Sequence, residues 1–93
     1  MNKPVRAHVI ITGRVQGVCF RMETRRAVEN LKVSGWVRNK RDGSVEAVFE
    51  GKEADVKEAL NWCRQGPPIS RVEDIKISWQ DYTGEFIGFN VTY

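Results

Sequence analysis

The sequence predicts an α+β sandwich, in which two helices pack on one face of a single, mainly antiparallel β-sheet. Three observations in the 93-residue chain support this fold class. Several segments alternate apolar and polar residues with the period of a strand, and two others space their apolar residues as an amphipathic helix does. The third observation is an Asp42-Gly43 pair, which is typical of a tight hairpin turn between two strands. The predicted order is strand, helix, strand, strand, helix and strand, with a short extra strand at the C-terminus.

The first half of the chain supplies a strand, a helix and a hairpin. Val5 to Thr12 alternate apolar and polar residues, which gives this strand one apolar face. Met22 to Lys32 are compatible with a helix that lies on the sheet. Its apolar stripe consists of Phe20, Thr24, Ala27, Val28 and Leu31. Ser34 to Asn39 and Ser44 to Glu50 are then predicted as two strands that the hairpin turn joins.

The second half supplies another helix and the remaining strands. Gly51 to Arg64 are predicted as the helix, which has acidic residues in its first turn and the stop signal Gly66-Pro67-Pro68 after its end. Its apolar stripe consists of Val56, Ala59, Leu60 and Cys63. The fourth strand is predicted from the alternation of Ile75, Ile77 and Trp79, and the last from Ile87, Phe89, Val91 and Tyr93. This order of elements is the split βαβ arrangement of the ferredoxin-like fold.

Length and composition predict one globular domain that spans residues 1–93. The net charge of +3 favours an anionic ligand slightly, but the basic residues lack the clustering of a nucleic-acid-binding protein. No apolar run approaches the roughly 20 residues that cross a bilayer, and Met1 to Pro4 lack a signal-peptide pattern. We therefore expect a cytoplasmic protein without a nucleic-acid or membrane partner, and a monomer is the default expectation.

The segment Gly13-Arg14-Val15-Gln16-Gly17-Val18-Cys19-Phe20-Arg21 connects the first strand to the first helix. Its two glycines allow backbone angles that other residues avoid, so successive N–H groups can point into one concave nest. Arg21 adds a permanently charged, planar group at the N-terminus of the helix, where the helix dipole also attracts anions. The segment therefore predicts a phosphate-binding loop. A plain strand-to-helix turn with a solvated arginine is the alternative interpretation of the same residues.

The segment lacks the patterns of several other phosphate-handling proteins. It has neither the Lys-Ser/Thr ending of a P-loop nor the Gly-x-Gly-x-x-Gly pattern of dinucleotide-binding proteins. Cys19 and Arg21 are separated by one residue, whereas cysteine-dependent phosphatases carry Cys-x5-Arg, so we expect Cys19 to be a bystander. His8 is the only histidine and no Cys-x-x-Cys pair occurs, so neither a metal site nor a cofactor is expected. Cys19 and Cys63 are predicted to be free thiols.

Two further groups of residues allow more than one interpretation. Asn39 ends a strand just before the hairpin, and from sequence alone an asparagine at this place is most often a turn residue. The aromatic residues fall mostly on core periodicities, and we expect them mostly to pack in the core. They are Trp36, Trp62, Trp79, Phe49, Phe86 and Phe89. An RNA-binding βαββαβ domain is the weaker alternative, because the aromatic string of such domains is missing.

Two motifs together resemble those of a known family. Gly13 to Arg21 resembles the signature loop of the acylphosphatases. Gly35 to Asn39, followed by Asp42 to Ala47 and by Glu50-Gly51, resembles the second signature of that family, and the two motifs lie at the expected separation. The resemblance extends over essentially the whole chain, including Gly88-Phe89-x-Val91-x-Tyr93. It implies a ferredoxin-like fold and hydrolysis of the carboxyl-phosphate bond of acyl phosphates.

The resemblance also implies roles for individual residues. Arg21 is expected to bind the substrate phosphate together with main-chain N–H groups of the loop, and Asn39 is expected to orient the attacking water. The loop groups are those of Val15, Gln16, Gly17, Val18, Cys19 and Phe20. No metal, no cofactor and no covalent intermediate are implied, and inorganic phosphate or sulfate would bind as a product-like ligand. The alternative is a non-catalytic module that binds phosphate or carbamoyl phosphate.

Overall fold

The structure, a computed structural model, describes residues 3–93 and contains five strands and two helices. Met1 and Asn2, which belong to the segment predicted to lack a signal peptide, lie outside the described residues. In chain order the elements are β1 (Pro4–Arg14), α1 (Phe20–Ala27), β2 (Val33–Asn39), β3 (Val45–Lys52), α2 (Glu53–Gln65), β4 (Arg71–Gln80) and β5 (Phe89–Val91). The predicted order of helices and strands is confirmed.

The strands form one mixed sheet in the order β4-β1-β3-β2-β5. β1 lies between β3 and β4, and both pairings are antiparallel, as is the pairing of β2 with β3. β5 runs parallel to β2 at the outer edge. The ferredoxin-like arrangement is therefore confirmed, and the structure adds the position of the last strand, which the sequence pattern did not predict.

The hydrophobic core lies between the sheet and the two helices. In the middle of β1 every second residue is fully buried on the helix side, namely Ala7, Val9 and Ile11. The apolar stripe predicted for α2 packs against them and is buried over its whole length. Within residues 3–93, no helix is long and apolar enough to cross a membrane.

Residues 81–88, which we call the crossing segment, connect β4 at one edge of the sheet to β5 at the other. Glu50 anchors this segment on the sheet face opposite the helices, because its buried carboxylate accepts hydrogen bonds from the backbone amides of Thr83 and Gly84. The guanidinium of Arg6 donates to the same carboxylate and lies 5.2 Å from the centre of the Phe86 ring. The anchor holds the crossing segment on this face, and hydrogen bonds of Gly88 and Thr92 with β2 hold the two ends of β5.

The first helix is shorter than predicted. α1 ends at Ala27 and not at Lys32, because the next residues form tight turns, in which Leu31 N donates to Val28 O at 2.9 Å. Turns with three-residue spacing keep apolar positions on one side, as a helix does. Val28 is therefore buried and Leu31 packs against the core, although neither belongs to the helix. The helical periodicity therefore predicted the buried face of this segment correctly and the length of α1 wrongly.

Other boundaries also differ from the predictions. α2 begins at Glu53 and not at Gly51, because Gly51 continues β3 and pairs with Val5 of β1. β1 and β4 are longer than predicted, since each gains residues where it pairs with a neighbouring strand. β5 is shorter, and two residues assigned to it, Ile87 and Tyr93, lie outside it with 93% and 94% of their surface exposed.

The prediction that the aromatic residues mostly pack in the core is half right. Three of them belong to the core or pack against it: Phe49, Trp62 and Phe89. Three lie outside it: Trp36, Trp79 and Phe86. Trp36 is on the sheet face opposite the helices, with the guanidinium of Arg38 5.3 Å from its ring, and Trp79 is half exposed on the edge strand β4. Alternation assigns residues to two faces, but it does not identify the face that the helices cover.

Candidate active site

The loop between β1 and α1, residues 15–19, is anchored by apolar side chains. Val15 and Val18 are buried in the core. Phe20, the first residue of α1, is also buried and makes an edge-to-face contact with Trp62 of α2, with 5.5 Å between the ring centres. These contacts fix the main chain of the loop between a strand and a helix, while residues 17 and 19 are left exposed.

The backbone of this loop presents unpaired hydrogen-bond donors. Gly17 and Cys19 adopt left-handed conformations with φ of 73° and 60°, and Cys19 is the one non-glycine residue within residues 3–93 that has a positive φ. Left-handed residues in such a turn direct neighbouring N–H groups into a concave surface. No protein acceptor within the described residues pairs with the amides of residues 16–19. The loop therefore carries a row of available N–H groups at the N-terminus of α1, an arrangement that binds anions.

Arg21 lies in the first turn of α1, directly after the loop. Its Nη1 donates to Thr92 O at 3.4 Å, and its guanidinium lies 4.7 Å from the centre of the Tyr93 ring. Thr92 in turn donates its N–H to Val37 O at 2.8 Å, two residues before Asn39 in β2. In the part of the chain that the structure describes, no carboxylate lies within 4 Å of Arg21. Neutral groups thus position this half-buried cation, and its charge is available to an anion.

Asn39 is the last residue of β2, opposite Val45 of β3, at the base of the hairpin. It is half-buried, and its side-chain amide makes no hydrogen bond within residues 3–93. The adjoining turn is closed by Asp42, whose carboxylate accepts from Ser44 Oγ at 2.6 Å and from Ser44 N at 2.9 Å. These hydrogen bonds lower the pKa of Asp42, so the carboxylate that closes the turn is ionised at neutral pH.

The side chain of Gln16 joins the loop to this hairpin. Its Nε2 donates to Lys40 O at 2.6 Å and to Ser44 O at 2.8 Å. Together with the contact of Arg21 to Thr92, this brings the loop, Arg21 and the end of β2 into one region at one end of the sheet. The residues that the sequence analysis predicted for the site therefore lie in connected segments, with Asn39 beside the hairpin that Gln16 holds.

Three contributions to this region were missed by the sequence analysis. The sequence predicted a role for the main chain of Gln16 and none for its side chain, and it indicated no role in the site for Thr92 or Tyr93. Glutamine in a loop carries no local pattern that predicts a distant acceptor. Thr92 and Tyr93 reach Arg21 because β5 lies beside β2, and the alternation in β5 does not specify its neighbour in the sheet.

The remaining titratable groups lie in other surroundings. Cys19 is exposed in the loop, whereas Cys63 is buried in the core, and burial raises the pKa of the Cys63 thiol to about 12. His8 is on the sheet face opposite the helices, with its Nε2 2.6 Å from the Glu46 carboxylate. Burial raises the pKa of Glu46, but hydrogen bonds from His8 and Arg38 outweigh it, so the pKa is lowered. Among residues 3–93 no three His, Cys, Asp or Glu side chains form a group that could hold a metal ion.

Comparison with known proteins identifies the family. The family model described as Acylphosphatase matches residues 7–91. The chain belongs to the acylphosphatase family. It is 52% identical over 88 residues to an acylphosphatase from Pelotomaculum thermopropionicum, which covers 95% of this chain and 96% of that one. An acylphosphatase from Roseiflexus sp. is 50% identical over 93 residues, 100% of both chains.

Solved structures agree with this assignment. The crystal structure of acylphosphatase from Bacillus subtilis superposes with a TM-score of 0.91 at 32% identity, covering 96% of this chain and 99% of that chain. The predictions of an acylphosphatase enzyme and of its fold are thus confirmed. Membership of the acylphosphatase family implies an acyl phosphate as the substrate and phosphate as a product. The roles of Arg21, Asn39 and the loop amides are still predictions for this acylphosphatase.

Proposed function

We propose that this acylphosphatase hydrolyses small acyl phosphates to a carboxylate and inorganic phosphate without a metal ion. The loop and Arg21 hold the phosphate, and Asn39 orients the water. The observation that carries the proposal is the row of unpaired N–H groups at residues 16–19 beside an arginine without a carboxylate partner in residues 3–93. The N–H groups of Val15 and Phe20 flank this row and complete the set of main-chain donors. That of Phe20 lies at the start of α1, where the first amides of a helix have no partner within it.

Phosphate binding follows from charge and geometry. Main-chain N–H groups and a guanidinium form charge-assisted hydrogen bonds to phosphate oxygens, and the dipole of α1 adds to the attraction. Arg21 is held by a carbonyl and an aromatic ring, so an incoming phosphate does not have to displace a carboxylate from it. Cys19 contributes its N–H to this set, and its thiol takes no part in the reaction.

The substrate supplies its own leaving group. An acyl phosphate is a mixed anhydride, and the departing carboxylate is a weak base that needs little protonation. The water oxygen attacks phosphorus in line with the bond to the carboxylate oxygen, and that P–O bond breaks with its electron pair leaving on the carboxylate. The proton that the water loses passes to a phosphate oxygen, because the amide of Asn39 can orient water but has no useful acid–base pKa. Such a reaction depends on positioning and charge stabilisation, which the site provides.

Hydrolysis of benzoyl phosphate, followed by its loss of absorbance in the presence of EDTA, tests the proposal. The wild-type protein should turn it over, and Arg21→Ala should abolish both phosphate binding and turnover. Asn39→Ala should lower kcat by roughly 10²-fold with little change in the affinity for inorganic phosphate. Asn61→Ala, a change at an exposed asparagine of α2, is the matched control. Wild-type turnover by Asn39→Ala would contradict the role of Asn39.

The same experiment separates the enzyme from the alternative. A protein that binds inorganic phosphate and does not hydrolyse benzoyl phosphate would be a phosphate- or carbamoyl-phosphate-binding module. The family match identifies an acylphosphatase, and the amide of Asn39, unpaired within the described residues at the end of β2, supports a catalytic site. A binding module has no need for a group that orients water.

We also infer a single-domain monomer in the cytoplasm, without a nucleic-acid or membrane partner. The buried apolar residues form one cluster that both helices and the sheet share, which supports one domain. Sedimentation velocity should give a mass near 10.7 kDa. A species of twice this mass would contradict the monomer. Retention on RNA at low salt that is lost at high salt would contradict the absence of a nucleic-acid partner.

A further inference from the structure

We propose that the side chain of Gln16 is a positioning residue, which holds Asn39 at the separation from the phosphate loop that attack by water requires. The proposal rests on the proposed function, since it needs phosphate on the loop and water on Asn39. It gives the side chain of Gln16 a task distinct from that of its main-chain N–H.

The geometry places both hydrogen bonds of Gln16 beside Asn39. Lys40, whose carbonyl accepts one of them at 2.6 Å, directly follows Asn39 in the chain. Ser44, whose carbonyl accepts the other at 2.8 Å, directly precedes Val45, the cross-strand partner of Asn39. The amide nitrogen thus holds both ends of the hairpin turn, next to the Asn39–Val45 pair.

No other side-chain hydrogen bond within residues 3–93 joins residues 15–19 to the hairpin. Gln16 also uses both protons of its amide group, which defines the direction as well as the length of the connection. Glutamine suits this place because a carboxylate of the same size would direct oxygens at two carbonyl oxygens, and an aliphatic side chain would make no hydrogen bond. The observed residue is the one whose chemistry fits two acceptors.

The backbone pairing of β1 with β3, which reaches Ile11 and Val45, sets the approximate separation of the loop from the hairpin, and each of the two also has its own support. The loop is anchored in the core by Val15 and Val18, and the hairpin is closed by the contact of Ser44 with Asp42. Without Gln16 each part keeps its own shape, but the loop, whose residues lie beyond the last β1–β3 pair at Ile11, can shift by a small distance relative to the hairpin. Phosphate binding depends on the loop, and water orientation depends on the separation, so the two should respond differently to a change at Gln16.

Gln16→Met tests this expectation, because methionine has a similar length and no N–H donor. The two carbonyls that lose the Gln16 amide still accept a backbone hydrogen bond each: Lys40 N donates to Ser44 O at 2.8 Å, and Gly43 N donates to Lys40 O at 3.3 Å. The hairpin should therefore still fold. We expect kcat for benzoyl phosphate to fall roughly 10- to 100-fold, since small misplacements of reacting groups cost that much. The inhibition constant of inorganic phosphate should change little. Gln65→Met, at an exposed glutamine of α2, should match the wild type.

A double-mutant cycle shows whether Gln16 acts through Asn39. If it does, Gln16→Met combined with Asn39→Ala should be no slower than Asn39→Ala alone, because the group to be positioned is already absent. If the loss of kcat in the double variant equals the product of the losses in the two single variants, the residues act independently and the proposal is overturned. Unchanged kcat in Gln16→Met would overturn it too, as would a loss of phosphate affinity equal to the loss of kcat, which would show that Gln16 shapes the loop instead.

A second measurement keeps this test independent of the proposed function. If wild-type protein fails to hydrolyse benzoyl phosphate, the proposed function is wrong, and the position of Asn39 is then measured by NMR. The side-chain amide signal of Asn39, identified by its absence in Asn39→Ala, should shift when inorganic phosphate binds the wild type. In Gln16→Met this shift should be reduced. An equal shift in both proteins would overturn the positioning role.

Discussion

Replacing Glu50 with alanine should destabilise the protein far more than replacing Glu85, although both carboxylates contact the same atom. Arg6 Nη1 lies 3.1 Å from Glu50 Oε2 and 3.0 Å from Glu85 Oε1. The side chain of Glu50 is 0% exposed, whereas that of Glu85 is 58% exposed. Because the distances are almost equal, any difference between the two replacements reports on burial and on the other partners of each carboxylate.

The magnitude follows from the donors that each replacement leaves behind. Glu50 accepts hydrogen bonds from Arg6, from the amide and hydroxyl of Thr83 and from the amide of Gly84. Without it, Arg6 and the Thr83 hydroxyl keep Glu85, but the two amides lose their side-chain acceptor. A donor that loses its acceptor costs about 1–3 kcal/mol, and the two amides lie on exposed residues, so each contributes toward the lower end of this range. Arg6 keeps an ion pair with Glu85 and adds little. We expect a loss of about 2–4 kcal/mol for Glu50→Ala and of about 0–1 kcal/mol for the exposed Glu85→Ala.

Urea unfolding at pH 7 measures both values, and thermal unfolding gives an independent check. Glu50→Ala should lower Tm by roughly 8–32 °C, since each kcal/mol corresponds to about 4–8 °C in a domain of this size. The slope with urea should be unchanged, because the crossing segment is a small part of the surface exposed on unfolding. Free energies of unfolding that agree within about 1 kcal/mol for the two variants would refute the argument from burial.

Three further predictions concern other parts of the molecule. Tyr93→Ala should raise KM for benzoyl phosphate with little loss of stability, because the exposed ring contacts little besides the Arg21 guanidinium; unchanged KM in steady-state assays would contradict it. Cys19 should react with a thiol reagent in the native protein, whereas Cys63, whose pKa burial raises to about 12, should react only after unfolding, as absorbance of the released reagent will show. Burial raises the pKa of Glu50, but the hydrogen bonds that its carboxylate accepts outweigh burial, so the pKa is lower than the ordinary value of a glutamate. Its stabilising contribution is therefore present above a pH of about 4.3 and lost as the pH falls, and the acid limb of the pH–stability curve should be flatter in Glu50→Gln.

Much of the fold could be predicted because the determining signals are local. Alternation in β1 and helical spacing in α2 identified their buried faces correctly, since each pattern reflects contact with one core. The Asp42-Gly43 pair placed the hairpin, because few other residues fit such a turn. The turn conformation of the glycine-containing loop before α1 could be predicted for the same reason, as its shape depends on residues adjacent in the chain; its role as an anion site is still a prediction.

What could not be predicted depends on distant partners. β5 lies beside β2 at the end of the crossing segment that Glu50 and Arg6 hold, and the alternation in its three residues does not specify that neighbour. The length of α1 was overestimated for a related reason, since tight turns reproduce the apolar spacing of a helix. The side-chain bonds of Gln16 connect positions 24 and 28 residues apart, and only the assembled sheet brings these positions together.

The buried contacts of Phe20 and the bonds of Gln16 have a consequence for protein engineering. The nine-residue segment from Gly13 to Arg21 is shaped by Trp62 below it and by the hairpin beside it, so it is not a portable module. Grafted alone between a strand and a helix of another scaffold, it would retain its glycines and lose the surfaces that fix its main chain. A transplant that preserves function has to carry the hairpin and a packing partner for the aromatic ring, which makes this region a property of the tertiary structure and not of a linear motif.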